Sequence, residues 1–484
     1  NQSGAAPPST LDGVVSVYQQ LLDQVEESRR MTSGVWETSQ LGWLPIRLAV
    51  RPEELQTQAQ LDALVEHAVG QEFSGGNEHH YIVNEKFQWE LLRHIQAAAD
   101  YHVLWIHDYR GKNSAGGSDR LGFDQVYHGY LKALTQRVRA YDATGKLPVY
   151  MIFLDQNFYE PNAGRIWMSF LEDPLHRRVD LPSGPDSEEQ ESKIREAQAE
   201  LRDAVASSKL LQERRRQYGD GWLANRIKVH VNITNPVDWS FWSQQVIPVL
   251  GIPDVVMRDH RKISFYDVTE RDPNQGEAIF TGMGIGEHYA GPTWEDRAIL
   301  VQGPALVGLK DAARQLVRSQ GFAEDEVPHP LRPEAKPANY TELVAARVAA
   351  GSNYRALQIH NETGYAPKQI NVFKALLYDA MPAGSILIVP DSLWNSPFWA
   401  SMLLGNAVRG GRVYIISPAL ANAPSAGFPQ MSRAQELYSQ LVVVKQTMAA
   451  EIAHRGGSLN LGIYAVSKDV GDLHERTELF YDKV

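Results

Sequence analysis

An α/β fold built of two related halves is predicted by three observations. Apolar strand-like runs alternate with amphipathic helix-like runs along most of the 484 residues, the pattern of helices layered on a largely central sheet. The same order of elements returns later in the chain, as in a pseudo-dimer of two halves rather than two unrelated domains. The length also suffices for two or more domain-sized cores, and a hydrophobic fraction of 43% is ordinary for a globular protein.

Taken in order, helical stretches are expected near 10–30, 52–69 and 84–99, with Pro52-Glu53-Glu54 a recognisable first turn for the second. His102-Val103-Leu104-Trp105-Ile106-His107-Asp108-Tyr109 reads as the first buried strand, followed by a helix near 122–142 and a strand at Val149–Leu154. Pro182 to Gly219 opens with Pro-Ser-Gly-Pro and continues as a charged helix through Glu188, Lys193, Arg195, Glu200, Arg202 and Arg214-Arg215-Arg216. Opposite charges at helical spacing make it a solvated surface helix, with a lid or membrane-contacting insertion as the sharper alternative. Ile227–Ile233 is the next strand. Glu326 to Asn339 contains Pro328, Pro330, Pro333 and Pro337 and is the expected linker. Tyr354–Glu362 then begins the second copy, whose later strands are Arg412–Pro418, after a helix ending in Ala407-Val408-Arg409-Gly410-Gly411, and Asn460–Val466. The expected organisation is a leader and helix over 1–40, a first half over 41–325, the linker at 326–339 and a second half over 340–484.

The chemistry-bearing stretch is His260-Arg261-Lys262-Ile263-Ser264-Phe265-Tyr266-Asp267. As a strand it places His260, Lys262 and Ser264 on one face, so that an imidazole and a fixed positive charge point the same way. That suits a phosphate diester. The triplet alone is a weak signal, and its context adds to it. Downstream come Thr281-Gly282-Met283-Gly284-Ile285-Gly286-Glu287-His288-Tyr289, then Trp294-Glu295-Asp296, then Leu300-Val301-Gln302-Gly303-Pro304-Ala305.

With these segments in this order, the chain resembles the phospholipase D superfamily, whose signature is H-x-K-x4-D. The resemblance extends to the family's glycine-rich strand end, its W-x-D element and its G-P-A strand-to-helix junction, and the helix, paired glycines and strand at 407–418 resemble the family's half-domain again. It implies two half-domains related by a pseudo-twofold, each a mixed, mostly parallel sheet flanked by helices. It also implies a phosphodiesterase that hydrolyses phospholipids or transfers their phosphatidyl groups, as bacterial cardiolipin synthases do, through a phosphohistidine and without cofactor or metal. A nuclease of the same superfamily is the alternative, as is a catalytically incomplete phosphate- or lipid-binding protein.

Carried over residue by residue, the resemblance makes His260 the nucleophile and Lys262 the cation that holds a nonbridging phosphate oxygen as charge builds in the transition state. Asp296 is the candidate for orienting His260. Asp267 is mainly structural, and Gly284 and Glu287 support the site; the family often has Asn or Asp where Gly284 stands. The strand ends His107-Asp108 and His360-Asn361-Glu362 occupy matching places in the two repeats and are candidates for substrate binding, Glu362 as a charge partner for Lys262. Trp239, Trp242, Trp394, Phe398 and Trp399 suit an acyl-chain pocket or lipid interface, and core packing equally.

The family's site uses two such motifs, and the 484 residues contain a single H-x-K triplet. A second is expected near or just past position 490, on a separate C-terminal segment. Net charge −11 argues against nucleic acid as substrate. The absence of cysteine rules out disulfides, thiolate metal sites and a cysteine nucleophile. The alternating glycines of Gly282-x-Gly284-x-Gly286 lack the following helix of a dinucleotide site, and Asp267, Glu270 and Asp272 lack the spacing of a calcium loop. No apolar stretch is long enough to cross a bilayer. A start at Asn1 with a Gly/Ala/Pro leader suits a processed protein of a bacterial periplasm or envelope, with peripheral membrane contact.

Overall fold

The computed structural model of the chain describes residues 72–83, 86–106, 123–155, 188–219, 226–232, 261–283, 294–295, 297–319, 322–358, 383–390, 397–418, 429–464, 472–473 and 479–481, with single residues around 59–66 and at 222, 378 and 381. The chain divides into two compact units. One comprises Ser74–Pro236 and Arg258–Gln358 and carries the motif; the other comprises Asn1–Phe73, Val237–Met257 and Ile359–Val484.

The motif unit is α/β. Its sheet begins with β1 (Ser74–Val83), followed by α1 (Lys86–Ala97), β2 (Tyr101–Ile106), α2 (Phe123–Thr144), β3 (Val149–Asp155), α3 (Glu188–Ser207), α4 (Lys209–Tyr218) and β4 (Ile227–Asn232). Then come β5 (Ile263–Tyr266), β6 (Glu277–Thr281), β7 (Arg297–Gln302), α5 (Val307–Ser319), α6 (Tyr340–Ala349) and β8 (Tyr354–Ala356). The spatial order is β4-β3-β2-β5-β6-β7-β1-β8. Strands β2, β3 and β4 are parallel, joined by helical crossovers; the remaining neighbours are antiparallel. The short return from β5 to β6 allows only antiparallel pairing, because parallel neighbours need a long crossover.

Both faces of this sheet are covered. Leu104, Ile152 and Ile279 pack beneath Leu91 and Ile95 of α1, Leu134 of α2 and Leu201 of α3. On the other face Val103, Met151 and Phe265 meet Leu309, Ala313, Leu316 and Val317 of α5.

Several expectations are corrected. The charged stretch is not one solvated helix: α3 buries Ala197, Leu201, Ala204 and Val205, a stripe at helical spacing, in the core. Glu196 and Asp203 of the same helix are exposed. The helix breaks at Ser208, whose hydroxyl accepts from Leu211 N–H at 3.2 Å to cap α4 and donates to Asp142 at 2.7 Å.

The segment 326–339 is not a free linker. Val327 and Leu331 are core residues, and Glu334 joins Glu270 in pairing the buried Lys310 ammonium, at 3.2 and 2.5 Å. Prolines set the path of this segment, but its apolar side chains and its carboxylate anchor it. Tyr354 likewise starts no second repeat. It opens β8, the edge strand paired with β1 of the motif unit.

Strand β1 itself was missing from the sequence expectation, since Ser-Gly-Gly-Asn-Glu-His-His lacks apolar alternation. Tertiary partners make it a strand. Its backbone pairs with β7 from Glu78 opposite Gln302 to Val83 opposite Arg297, and Asn77 Oδ1 accepts from Ala305 N–H at 2.9 Å. Gly303, at φ 123°, passes so close that a Cβ there would lie 2.8 Å from the Asn77 Cα and the Gly76 carbonyl. The G-P-A junction therefore needs its glycine.

The other unit holds β9 (Ile386–Pro390), α7 (Pro397–Val408), β10 (Arg412–Pro418), α8 (Pro429–His454), β11 (Ser458–Tyr464) and β12 (Leu479–Tyr481). Strands β9, β10 and β11 are parallel neighbours through the two helical crossovers, and β12 is antiparallel to β9. Leu387, Val389, Val413 and Ile415 are buried. Among the described residues no helix is long and apolar enough to cross a membrane.

Candidate active site

The motif strand β5 is only four residues long, so its register decides where each motif side chain goes. Arg261 stacks over Trp105, its guanidinium carbon 4.0 Å from the ring centroid, and Ile263 and Phe265 join the same core cluster as that ring. The alternate residues Lys262 and Ser264 are buried on the opposite face. Lys262 carbonyl accepts from Thr281 N–H at 3.2 Å, tying the entrance of β5 to the end of β6. Trp105 pairs with Ile263, so β5 begins beside the carboxyl end of β2. This is the edge at which the parallel strands β2, β3 and β4 also end, the usual place for ligands in α/β sheets.

Asp267 closes the opposite end of β5. It adopts φ 49°, a left-handed conformation that Asp tolerates better than most residues. Its carboxylate accepts the backbone N–H groups of Ala99, Asp100 and Tyr101 at 2.7, 2.8 and 2.8 Å, fixing the start of β2. Burial pushes its carboxyl up in pKa, against these three donors. The return into β6 passes Gly276 at φ 82°, where a Cβ would meet the Tyr266 carbonyl and the Val268 backbone at 2.7 Å. Asp267→Ala is expected to leave the donors to water and lose about 2 kcal/mol of stability, with Asp267→Asn closer to wild type; denaturant midpoints measure both.

Beneath β5 lies a buried polar network that the sequence analysis missed. Ser264 Oγ stands 3.1 Å from His94 Nδ1 of α1 and 2.9 Å from His102 Nε2 of β2. His94 Nε2 lies 2.8 Å from Glu277 Oε1 of β6. Arg93 donates to the same carboxylate, and Gln302 Nε2 reaches its other oxygen at 2.6 Å. A signal was present: Phe87, Leu91, His94 and Ile95 are spaced as one helix face, so His94 had to enter the core.

The carboxylate orders this network. Burial works to raise the pKa of Glu277, but the hydrogen bonds from His94, Arg93 and Gln302 hold it below the usual carboxylate range. Burial lowers the pKa of His94 and takes that of His102 well below the ordinary value, so both imidazoles are neutral. An ionised Glu277 requires His94 to carry its proton on Nε2, which leaves Nδ1 to accept from the Ser264 hydroxyl. Ser264 then accepts from His102 Nε2–H. His102 Nδ1, which has no hydrogen-bond partner, is left as a bare acceptor.

Acid should therefore destabilise the protein in two stages. His94 and His102 have folded pKa values below 6.5, so unfolded chains gain protons first as pH drops under that value. The contribution of Glu277 is present above 4.5 and is lost as pH falls through its lowered folded pKa. Urea unfolding of wild type and Glu277→Gln between pH 7 and 3 measures this, the variant showing the shallower loss below pH 4.5.

Of the residues predicted for the site, Lys262 and Asp267 are described, at opposite ends of β5. His260, Asp296, Gly284, Glu287, His107, Asp108, His360, Asn361 and Glu362 lie outside the described residues.

No protein-family model matches the chain, and no curated protein does. Among solved structures it is similar to a phosphatidylserine synthase of Haemophilus influenzae Rd KW20, with a TM-score of 0.43 and 12% identity over 87% of this chain and 80% of that one. It is also similar to a polyphosphate kinase of Porphyromonas gingivalis, with a TM-score of 0.32 and 11% identity over 90% of this chain and 43% of that one.

Proposed function

We propose that the chain is a phosphodiesterase of the phospholipase D superfamily that cleaves phospholipids or passes their phosphatidyl group to an alcohol. The observation that carries this reading is the placement of Lys262 and Asp267, two residues of the H-x-K-x4-D motif, at the two ends of β5. Lys262 enters β5 at the edge where β2, β3 and β4 end, the usual place for ligands in such sheets, and Asp267 leaves it by clasping the start of β2.

In this reading His260 attacks phosphorus, a P–N bond forms, and the P–O bond to the leaving alcohol breaks. A second motif histidine protonates that alcohol and then deprotonates water or the acceptor, which displaces His260. Lys262 holds a nonbridging oxygen throughout. With one H-x-K triplet in the sequence, the second is assigned to a further polypeptide segment, and a pseudo-twofold between two half-domains belongs to the same proposal. The net charge of −11 favours a lipid over a nucleic acid, and an envelope location with peripheral membrane contact accords with such a substrate. The protein in its native assembly, assayed on phosphatidyl lipid vesicles, single-stranded DNA and a generic aryl diester, should turn over the lipid and the generic diester. Cleavage of DNA alone, or of none of the three, overturns the proposal.

A further inference from the structure

The network beneath β5 has the connectivity of a serine hydrolase triad, with Ser264, His94 and Glu277 in order. It cannot work as one where it stands. Ser264 is 2% exposed and His94 0%, so no acyl group reaches the hydroxyl. What the network does reach is the motif strand. Its members come from α1, β2, β5 and β6, with Arg93 and Gln302 adding a further contact from α1 and one from β7. They stand on a sheet face otherwise filled by Leu104, Ile152 and Ile279.

We propose that Ser264, His94, His102 and Glu277 are positioning residues that lock the register of β5 and so hold Lys262 on the site face. The catalytic part of this inference rests on the phosphodiesterase reading. A strand of four residues has few backbone pairs with which to specify register, and a slip by one residue turns every side chain to the opposite face. Here a slip would carry Ser264 away from both imidazoles and bring Phe265 against them, leaving a buried N–H and a buried acceptor unpaired. Lys262 is two residues from Ser264 on the same face, so the hydroxyl that fixes one fixes the other. Glu277 gives the lock its direction, because its ionised carboxylate selects the tautomer of His94 and, through Ser264, that of His102. Asp267 pins the far end of the strand by its three backbone contacts and leaves the middle to this network.

The test has two parts, one independent of activity. In ¹⁵N-histidine NMR spectra of the whole protein at pH 7.5, His94 and His102 should both be neutral with the proton on Nε2, assigned by their loss in His94→Gln and His102→Gln. Glu277→Gln should disturb the His94 pattern. Spectra with either ring protonated on Nδ1 overturn the lock. In turnover of the generic diester, Ser264→Ala should lose tenfold or more in kcat, with KM changed less than threefold, at a temperature where near-UV circular dichroism shows the variant folded. Ser264→Thr, which keeps the hydroxyl, should recover most of the loss. Wild-type kcat in folded Ser264→Ala and Glu277→Gln overturns the positioning role even with the tautomers as stated. A wild type with no turnover overturns the phosphodiesterase reading and the catalytic part with it, while the tautomers still decide the lock.

Discussion

His260→Ala is expected to reduce diester turnover by roughly four orders of magnitude or more and to abolish any acid-labile phosphoenzyme. The size follows from covalent catalysis. On the proposed function, removing the atom that would form the P–N bond deletes the whole two-step route, leaving only what phosphate binding and orientation contribute. Substrate affinity should change little, because Lys262 remains. Rapid acid quench with a diester labelled at phosphorus reads the phosphoenzyme directly, and chemical rescue by added imidazole separates loss of the nucleophile from loss of the fold. Turnover by the variant at the wild-type rate refutes the role assigned to His260.

Lys262→Met should lower kcat by about two to three orders of magnitude, the usual loss when one preorganised electrostatic donor is removed from a developing charge. Methionine keeps the length and apolar body of the side chain, which matters for a residue 5% exposed. The lysine stem is part of the packing on its face of β5, and alanine would confound a cavity with a lost charge. The effect should appear in kcat more than in KM, since the contact strengthens as charge builds on phosphorus. Lys262→Arg should restore little, because a planar guanidinium does not replace a compact ammonium in a closed space. A variant with unaltered kcat and weaker binding would make Lys262 a ground-state contact only.

Much of the fold was legible without coordinates where local pattern and packing agree. Tyr101–Ile106, Val149–Asp155 and Arg412–Pro418 are dense in β-branched and aromatic residues and form strands close to their expected limits, as does Ser458–Tyr464. Helix α1 also runs close to its expected limits. Strand β1 was not legible, because hydrogen bonds from β7 and the Asn77 contacts with distant backbone make it a strand in spite of its composition. The segment 326–339 misled for a related reason: proline and charge mark an irregular path, but they do not say whether its few apolar residues find a core. Val327 and Leu331 do.

In the candidate site, the sequence by itself determined the reactive types and their spacing: His260, Lys262 and Asp267, with the period of a strand to relate the first two. Tertiary structure alone decided what surrounds Asp267 and Ser264. The three backbone donors that meet Asp267 come from residues 99–101, and the partners of Ser264 come from α1 and β2, more than 150 positions away. Spacing along a chain encodes which face a side chain takes, but the groups that meet it there are chosen by strand order and helix packing. These are settled only when the whole core forms.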